Sequence, residues 1–314
     1  MNSTTSKSDT PNAVAATPEN SRVQAYVELT KMRITVMVLV TFVVAAALAA
    51  NGLPDLWAMF FGSIGMLLVA ASGNAMNMYV ERYSDFLMPR TAGRPLPAQK
   101  LEPTEVAIFG AATIGIGTAI LWLTVNWQTA ACGLANWILY VGIYTPMKRK
   151  TWFNTEVGSI AGAMPILMGS LATTGSDTTS PTITFSAWIF FAVLVLWQFP
   201  HFMAIAWKYR HQYEAGGLQM LTVVDPSGRR AGRKSVVTAV LLLIVSLLPV
   251  LELSTIYHAI FLAAGAVYLG WIYLKASIEF AKQPNDDTAK ALMRKSLVYL
   301  PSYMLLLILA YLIK

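Results

Sequence analysis

Long apolar runs are the feature that most constrains how this chain can fold. Nine stretches of about 20 mainly apolar residues are each long enough to cross a hydrocarbon core of about 30 Å as a helix. The predicted spans are 34–51, 56–79, 105–125, 128–146, 155–173, 184–207, 235–251, 255–274 and 296–313. The sequence therefore predicts an all-α, polytopic membrane protein built as a bundle of nine transmembrane helices.

Composition excludes the main soluble classes. Charged residues make up 12% of the 314 residues, whereas a soluble globular domain usually carries about a quarter. The chain has one cysteine, Cys132, so a secreted scaffold held by internal disulfides is excluded as well.

The distribution of basic residues predicts the orientation in the membrane. A formal net charge of +7 could indicate a nucleic-acid ligand, but all of the 23 Lys and Arg residues except Lys314 fall in the N-terminal segment or in alternate loops. The other loops carry Asp55, Asp177 and Glu252 without a basic residue. The positive-inside rule then predicts a cytoplasmic N-terminus and an outside C-terminus, with no nucleic-acid partner.

The N-terminal region differs in composition from the rest. Residues 1–25 are rich in Ser, Thr, Asn, Pro and Ala, which predicts a disordered cytoplasmic tail before a membrane domain over 26–314. This region lacks the apolar core and cleavage pattern of a signal peptide. Its acidic residues also argue against a mitochondrial transit peptide, so a bacterial plasma (inner) membrane is the predicted location.

A polar stripe follows the second apolar run. Asn77, Glu81 and Asp85 are four residues apart, so on a helix they share one face. Carboxylate and amide oxygens are hard ligands that suit Mg²⁺, which keeps waters and shares substrate phosphates. Arg90 and Arg94 follow, and guanidinium groups match phosphate oxygens. The pattern predicts a Mg²⁺–diphosphate site, the alternative being a solvated loop whose arginines only set the topology.

These motifs resemble a known family. Asn-x-x-x-(Asp/Glu)-x-x-x-Asp followed by Met-x-Arg-Thr-x-x-Arg-Pro-Leu is similar to the intramembrane prenyltransferase superfamily that includes the 4-hydroxybenzoate polyprenyltransferases. Two further segments resemble its protohaem-farnesylating branch: Tyr144-Thr-Pro-Met-Lys-Arg-Lys-Thr-Trp-Phe-Asn154, and Trp197-Gln-Phe-Pro-His-Phe202 running on to Arg210 and Tyr213. The resemblance covers residues 25–312, nearly the whole chain.

The resemblance implies a helical bundle around a central cavity. Mg²⁺-bound farnesyl diphosphate would lose diphosphate, and the allylic cation would alkylate a vinyl group of protohaem, with water completing the product. It places Asn77, Glu81 and Asp85 on the metal, with Arg90 and Arg94 near the phosphates. The further substrate-binding residues implied are Lys148, Arg149, Asn154, His201, Lys208, Arg210 and Tyr213. For Lys148 and Arg149 a purely topological role stays open.

One position departs from the family pattern. The superfamily usually carries a second Asp-rich motif near the end of the sixth span, but Gln212 stands where the carboxylate is expected. An amide offers an oxygen without charge, so a second Mg²⁺ would bind more weakly unless Glu214, Lys208 or Arg210 compensates.

His201 lies inside the sixth predicted span, where an ionisable group indicates function by default. A neutral imidazole there could ligate haem iron, and the alternative is a histidine hydrogen-bonded to a neighbouring helix. His211 is predicted to be solvated in a loop, and His258 to lie at the outer interface.

Three other functions fit parts of the pattern. A prenyltransferase for a quinone-type aromatic acceptor would share the donor site, but the Pro-His-Phe and Tyr-Thr-x-x-Lys-Arg segments argue against that acceptor. A transporter would place its polar residues near mid-membrane rather than at one end. A haem-binding protein without catalysis fits if Gln212 abolishes metal binding. A haem A synthase or a terminal oxidase assembly is a further predicted partner.

The topology can be checked with reporter fusions. Because nearly all basic residues share one side, we expect fusions after Lys150 and after Lys234 to report a cytoplasmic position and a fusion after Asp177 to report an external one. A cytoplasmic reading at Asp177 would contradict the nine-span arrangement.

Overall fold

The fold was analysed in a computed structural model, which describes residues 18–50, 54–173 and 182–312. Within these ranges the regular elements are all helices. They are α1 (Pro18–Leu29), α2 (Met32–Ala49), α3 (Leu56–Phe86), α4 (Pro103–Thr124), α5 (Trp127–Trp137), a π-helical segment (Ile138–Tyr144), α6 (Thr145–Met147), α7 (Asn154–Thr173), α8 (Phe185–Lys208), α9 (Arg210–Ala215), α10 (Leu221–Val224), α11 (Arg229–Val245), a 3₁₀ segment (Leu248–Glu252), α12 (Ile256–Lys282) and α13 (Asp286–Leu312).

The all-α membrane fold is confirmed, and the exact number of spans stays a prediction. Each predicted span overlaps a helix, and in the described part of the chain 7 helical stretches are long and apolar enough to cross a membrane. Two predicted spans do not meet this criterion. One is α7, and the other is α5 with the π-helical segment that follows it. Asp177, in a predicted outside loop, lies beyond the described residues.

The break predicted between the seventh and eighth spans is present. A 3₁₀ segment over Leu248–Glu252 separates α11 from α12, and it carries Pro249 in its first turn. Proline lacks the N–H that a continuous helix would need, so the chain turns here instead of extending one long helix.

Part of the predicted N-terminal tail is helical. Helix α1 begins at Pro18, whereas composition places the end of the tail at residue 25. Ala25 and Leu29 are fully buried against Ala75 and Met78 of α3, so this segment has an apolar surface to cover. That packing outweighs the polar composition on which the prediction depends. Residues 1–17 lie outside the described residues, and the domain boundaries stay a prediction.

Helix α8 has a central position in the bundle. It packs against α7, α11 and α13, while α2 packs on α7, and α3 on α4. The main core contains Phe190 and Val193 of α8 beside Tyr273 of α12 and Tyr299 of α13. Many large apolar side chains of the outer helices face outward, Ile108, Trp122 and Trp271 among them. This outward distribution is the one expected where lipid rather than water surrounds the bundle.

A close helix contact holds α2 against α7. A Cβ atom added at Gly169 would clash with the carbonyl oxygen of Phe42. The obstacle is backbone, which cannot move aside as a flexible side chain can. Small residues at helix interfaces allow this kind of approach in membrane proteins.

We therefore expect Gly169→Ala to destabilise the protein by about 1–3 kcal/mol through overpacking. Gly115→Ala is the matched control, because a Cβ there would meet nothing within 4 Å. Thermal unfolding in detergent, followed by tryptophan fluorescence, measures both variants. Equal melting temperatures for the two would contradict this account of the α2–α7 contact.

Candidate active site

The polar stripe predicted on the second span lies on the last turns of α3. Asn77 and Asp85 are each 1% exposed, and Glu81 is 7% exposed. Their spacing places all three on the helix face that lines an internal cavity. Buried carboxylates need charge compensation, so the neighbours of this stripe determine what the site can do.

Each member of the stripe contacts a basic side chain from a different segment. Lys31 Nζ donates to Asn77 Oδ1 at 2.7 Å, and Lys148 Nζ donates to Glu81 Oε1 at 2.7 Å. Arg94 Nη1 donates to Asp85 Oδ2 at 2.6 Å. We call these three contacts the ligand–cation pairs. They join the α1–α2 junction, the chain just after α6 and the α3–α4 loop at one end of the cavity.

Lys31 is a site residue that the sequence does not single out, since its position before an apolar run also suits a residue that only sets topology. It has a left-handed backbone, with φ 49° and ψ 54°, at the start of α2. This conformation is uncommon for residues other than glycine, and it ends the helical path of α1 before α2 begins. Burial, together with the positive charge of Arg94, lowers the pKa of the Lys31 amine to about 7. No helix is predicted before the first apolar run, so the sequence carries no signal that separates Lys31 from a residue that only sets topology.

Lys148 is held in its charged form. Burial disfavours the ammonium, but Glu81 opposite outweighs this and raises the pKa of Lys148 above its usual range. Its Nζ also lies 4.5 Å from the centre of the Tyr144 ring. Tyr144 in turn stacks on Tyr140, with ring centres 5.5 Å apart, and both belong to the π-helical segment. The site thus places an aromatic wall directly beside its cations.

Arg90 also lines the cavity. Its guanidinium lies over the rings of Tyr209 and Tyr213, at 4.5 and 5.7 Å from their centres, and it contacts no carboxylate among the described residues. Its backbone N–H donates to Gln212 Oε1 at 3.2 Å. The residue at the expected second carboxylate position therefore ties the α3–α4 loop to α9. Glu214 is exposed and is not one of the residues that line the cavity.

One cavity of about 640 Å³ connects this polar end to the middle of the bundle. Its volume falls within the range of small-molecule sites. Beyond the charged end, the walls are formed by apolar and aromatic residues of α2, α3, α5, α7, α8 and α13. A long apolar chain and a flat apolar ring system both suit such walls.

Most of the predicted site residues meet at this cavity. Its lining includes Asn77, Glu81, Asp85, Arg90, Arg94, Lys148, His201 and Tyr213. His201 lies on the α8 wall, stacked on Trp197 with ring centres 5.0 Å apart, and its Nδ1 is 2.7 Å from Ser296 Oγ of α13. The predicted hydrogen bond to a neighbouring helix is thus present, and iron ligation stays a prediction.

Four predicted substrate-binding residues are not brought to the cavity, because other contacts hold their side chains. The guanidinium of Arg149 donates to Ser84 Oγ, and the Asn154 amide donates to two backbone carbonyl oxygens. Arg210 lies on Trp207 and pairs with Asp286, while Lys208 is exposed beside Tyr209. These contacts give the side chains a structural role at loops and helix ends. The sequence motif alone could not distinguish such a role from substrate binding.

The donor set at the stripe fits Mg²⁺. Asp85 Oδ1 is buried without a hydrogen-bond partner among the described residues, so one carboxylate oxygen remains available to a cation. The described chain contains no cluster of three or more His, Cys, Asp and Glu residues, so a full protein cage is absent there. Two carboxylates and an amide instead match a metal that shares its coordination shell with water and phosphate.

The sequence also matches a known protein family. The sequence model of the UbiA prenyltransferase family matches residues 38–298. The chain belongs to this family. The protein is therefore a membrane prenyltransferase, and the polar stripe and the cavity are its candidate active site.

Two bacterial relatives within the family are similar over most of their length. A protein named protoheme IX farnesyltransferase from Rhodopirellula baltica is 40% identical over 290 residues, which cover 90% of this chain and 98% of the relative. One of the same name from Solibacter usitatus is 38% identical over 286 residues, covering 88% of this chain and 94% of the relative.

Solved structures share the fold. A digeranylgeranylglyceryl phosphate synthase superposes with a TM-score of 0.76 at 17% identity, covering 93% of this chain and 99% of that chain. A UbiA homologue from Archaeoglobus fulgidus bound to GPP and Mg²⁺ superposes with a TM-score of 0.64 at 14% identity, covering 90% of this chain and 99% of that chain.

The geometry around Arg90 predicts a role in anion binding. We expect Arg90→Gln to lower the affinity for inorganic diphosphate with Mg²⁺ about ten- to a hundredfold, since a charge-assisted hydrogen bond contributes about 1.5–3 kcal/mol. Arg82→Gln is the matched control: Arg82 also lies over two tyrosine rings, those of Tyr79 and Tyr83, but outside the cavity lining. Isothermal titration calorimetry in nanodiscs measures both. An equal loss in the two variants would contradict a specific role for Arg90.

Proposed function

We propose that this chain transfers a farnesyl group from farnesyl diphosphate to a vinyl group of protohaem, with addition of water and release of diphosphate. The observation that carries the proposal is one continuous cavity that joins three ligand–cation pairs at one end to apolar and aromatic walls with a histidine. Such a cavity offers separate surfaces for a charged leaving group, an apolar chain and a flat acceptor. The names of the two bacterial relatives support the choice of donor and acceptor.

The polar end supplies what a diphosphate leaving group requires. Its developing negative charge would be stabilised by Lys148, Arg94 and Arg90, and by Lys31 in its protonated form, since all four side chains line this end of the cavity. Mg²⁺, held by Asn77, Glu81 and Asp85 when bound, would neutralise further charge on the diphosphate. The Archaeoglobus homologue with GPP and Mg²⁺ supports this assignment of the metal.

The walls next to the polar end suit the allylic cation left behind. Tyr140, Tyr144 and Trp137 line the cavity there and offer aromatic faces, which attract a cation. The farnesyl chain would lie along apolar residues of α2, α3 and α7. These side chains also limit the access of water, so the cation reacts with the acceptor before it is hydrolysed.

The acceptor would occupy the wall formed by α8 and α13. His201 and Trp197 of α8 face the cavity there beside Leu297 and Leu300 of α13. Bond formation joins C1 of the farnesyl group to the outer vinyl carbon of protohaem. A water oxygen then bonds to the inner vinyl carbon and releases one proton, which yields the hydroxyfarnesylethyl product.

The cellular setting is part of the proposal. We place the protein in a bacterial plasma membrane with the three pairs on the cytoplasmic side, because the sources of the two relatives are bacterial and the basic loops all predict that side. A haem A synthase or terminal oxidase assembly is the kind of partner that would consume the product.

Mass spectrometry of the product tests the function. Purified protein in nanodiscs, supplied with farnesyl diphosphate, protohaem and Mg²⁺, is expected to yield a haem heavier by a farnesyl group plus water. Prenylation of a quinone-type aromatic acceptor with no change in haem would establish the competing acceptor instead. Haem binding without product from either acceptor would contradict catalysis.

Two variants test the metal site in the same assay. We expect Asp85→Asn and Glu81→Gln each to lower turnover by about two orders of magnitude or more, because leaving-group stabilisation through the metal contributes several kcal/mol. Glu105→Gln is the control, since Glu105 pairs with Arg22 outside the cavity. Near-normal turnover of both site variants at limiting Mg²⁺ would move the metal elsewhere.

A further inference from the structure

Ser296 of α13 connects the cavity histidine to the backbone of a second helix. Its hydroxyl is fully buried, and it donates to the carbonyl oxygen of Met293 at 2.6 Å. The same oxygen lies 2.7 Å from Nδ1 of His201. A serine hydroxyl carries one hydrogen, and a carbonyl oxygen can only accept. The hydrogen of Ser296 is therefore used by Met293.

This arrangement determines which nitrogen of His201 carries the proton. Since the Ser296 hydrogen points to Met293, Ser296 Oγ can only accept at its contact with His201, and Nδ1 must donate. A neutral imidazole has one N–H, so Nε2 keeps a lone pair. No acidic side chain contacts the ring among the described residues. An imidazolium would place an unpaired charge among mainly apolar cavity walls, so the neutral form is favoured.

The position of the ring leaves Nε2 open to the cavity. His201 lines the cavity, and Nε2 neither forms a hydrogen bond nor belongs to the fully buried, unpartnered polar atoms of the described chain. Trp197 stacks on the ring at an interplanar angle of 15°, and its own Nε1 donates to the backbone carbonyl of Ser296 at 2.8 Å. Ser296 therefore contacts both the imidazole and the indole that lies against it.

We propose that Ser296 is a positioning residue that holds His201 as the Nδ1–H tautomer and so directs the Nε2 lone pair into the cavity as a ligand for the metal centre of a flat metalloporphyrin acceptor. The identity of the acceptor rests on the proposed function, whereas the tautomer does not. A histidine whose other nitrogen donates to a fixed acceptor is the arrangement expected of a metal ligand.

Nitrogen NMR of the protein without substrate tests the tautomer directly. In chain labelled with ¹⁵N-histidine and carrying His211→Gln and His258→Gln, His201 is the one remaining histidine. We expect a protonated Nδ1 and an unprotonated Nε2 in a single state. Ser296→Ala is expected to give a mixture of tautomers, and Ser296→Thr, which keeps the hydroxyl, to restore the single state.

The matched control is Ser277→Ala on α12. Ser277 is also fully buried and donates to a carbonyl in its own helix, that of Tyr273, but it does not contact His201. Its removal should leave the histidine signals unchanged. An Nε2–H tautomer in the parent protein, or the same change in both serine variants, would overturn the proposal.

Titration with ferric protohaem tests the consequence for the acceptor. We expect Ser296→Ala to weaken haem binding about tenfold and to shift the Soret band, since loss of such a supporting contact typically lowers metal affinity 10–100-fold. His201→Ala should give a larger loss, and Ser277→Ala should bind as the parent does. A Soret band that is identical in the parent and in His201→Ala would overturn iron ligation, even if the mass of the product confirms the farnesyl transfer.

Discussion

Compensation of buried charge is the constraint that organises this protein. Two carboxylates on α3 lie almost completely inside the bundle, where an unpaired charge would cost several kcal/mol. Lys148 and Arg94 neutralise them, and Lys31 completes the set at Asn77. The chain just after α6, the α3–α4 loop and the α1–α2 junction must therefore meet at one end of the bundle. The position of the cavity follows from that meeting.

The fold could be predicted where it depends on the composition of a local segment. Apolar runs and basic loops predict the helices and their alternation, because both reflect transfer between water and lipid over about 20 residues. Deviations occur where tertiary contacts outweigh local composition. Ala25 and Leu29 give α1 a buried face despite polar neighbours, and the π-helical segment interrupts a span whose composition predicts a continuous helix.

Some residues of the candidate site could also be predicted from the sequence, and others could not. Asn77, Glu81 and Asp85 could be predicted because helical spacing alone places them on one face. Lys31 could not, since its role depends on a left-handed backbone and on a partner 46 residues away. Lys208 and Arg210 lie within a recognisable motif, yet a motif does not determine whether a cation faces a cavity or the outside of a helix end. Rotation about a helix axis is decided by packing, which the sequence pattern does not contain.

The ligand–cation pairs also have a kinetic consequence. In a site that acts on a diphosphate, Lys31, Lys148 and Arg94 must give up part of their contact with Asn77, Glu81 and Asp85 to reach the phosphates. The internal contacts therefore compete with the ligand, which weakens the binding of substrate and of released diphosphate alike. An enzyme that holds both too tightly gains little in turnover, since only contacts that strengthen in the transition state accelerate the reaction. When the ligand–cation pairs form again, they would therefore favour the release of diphosphate from the site.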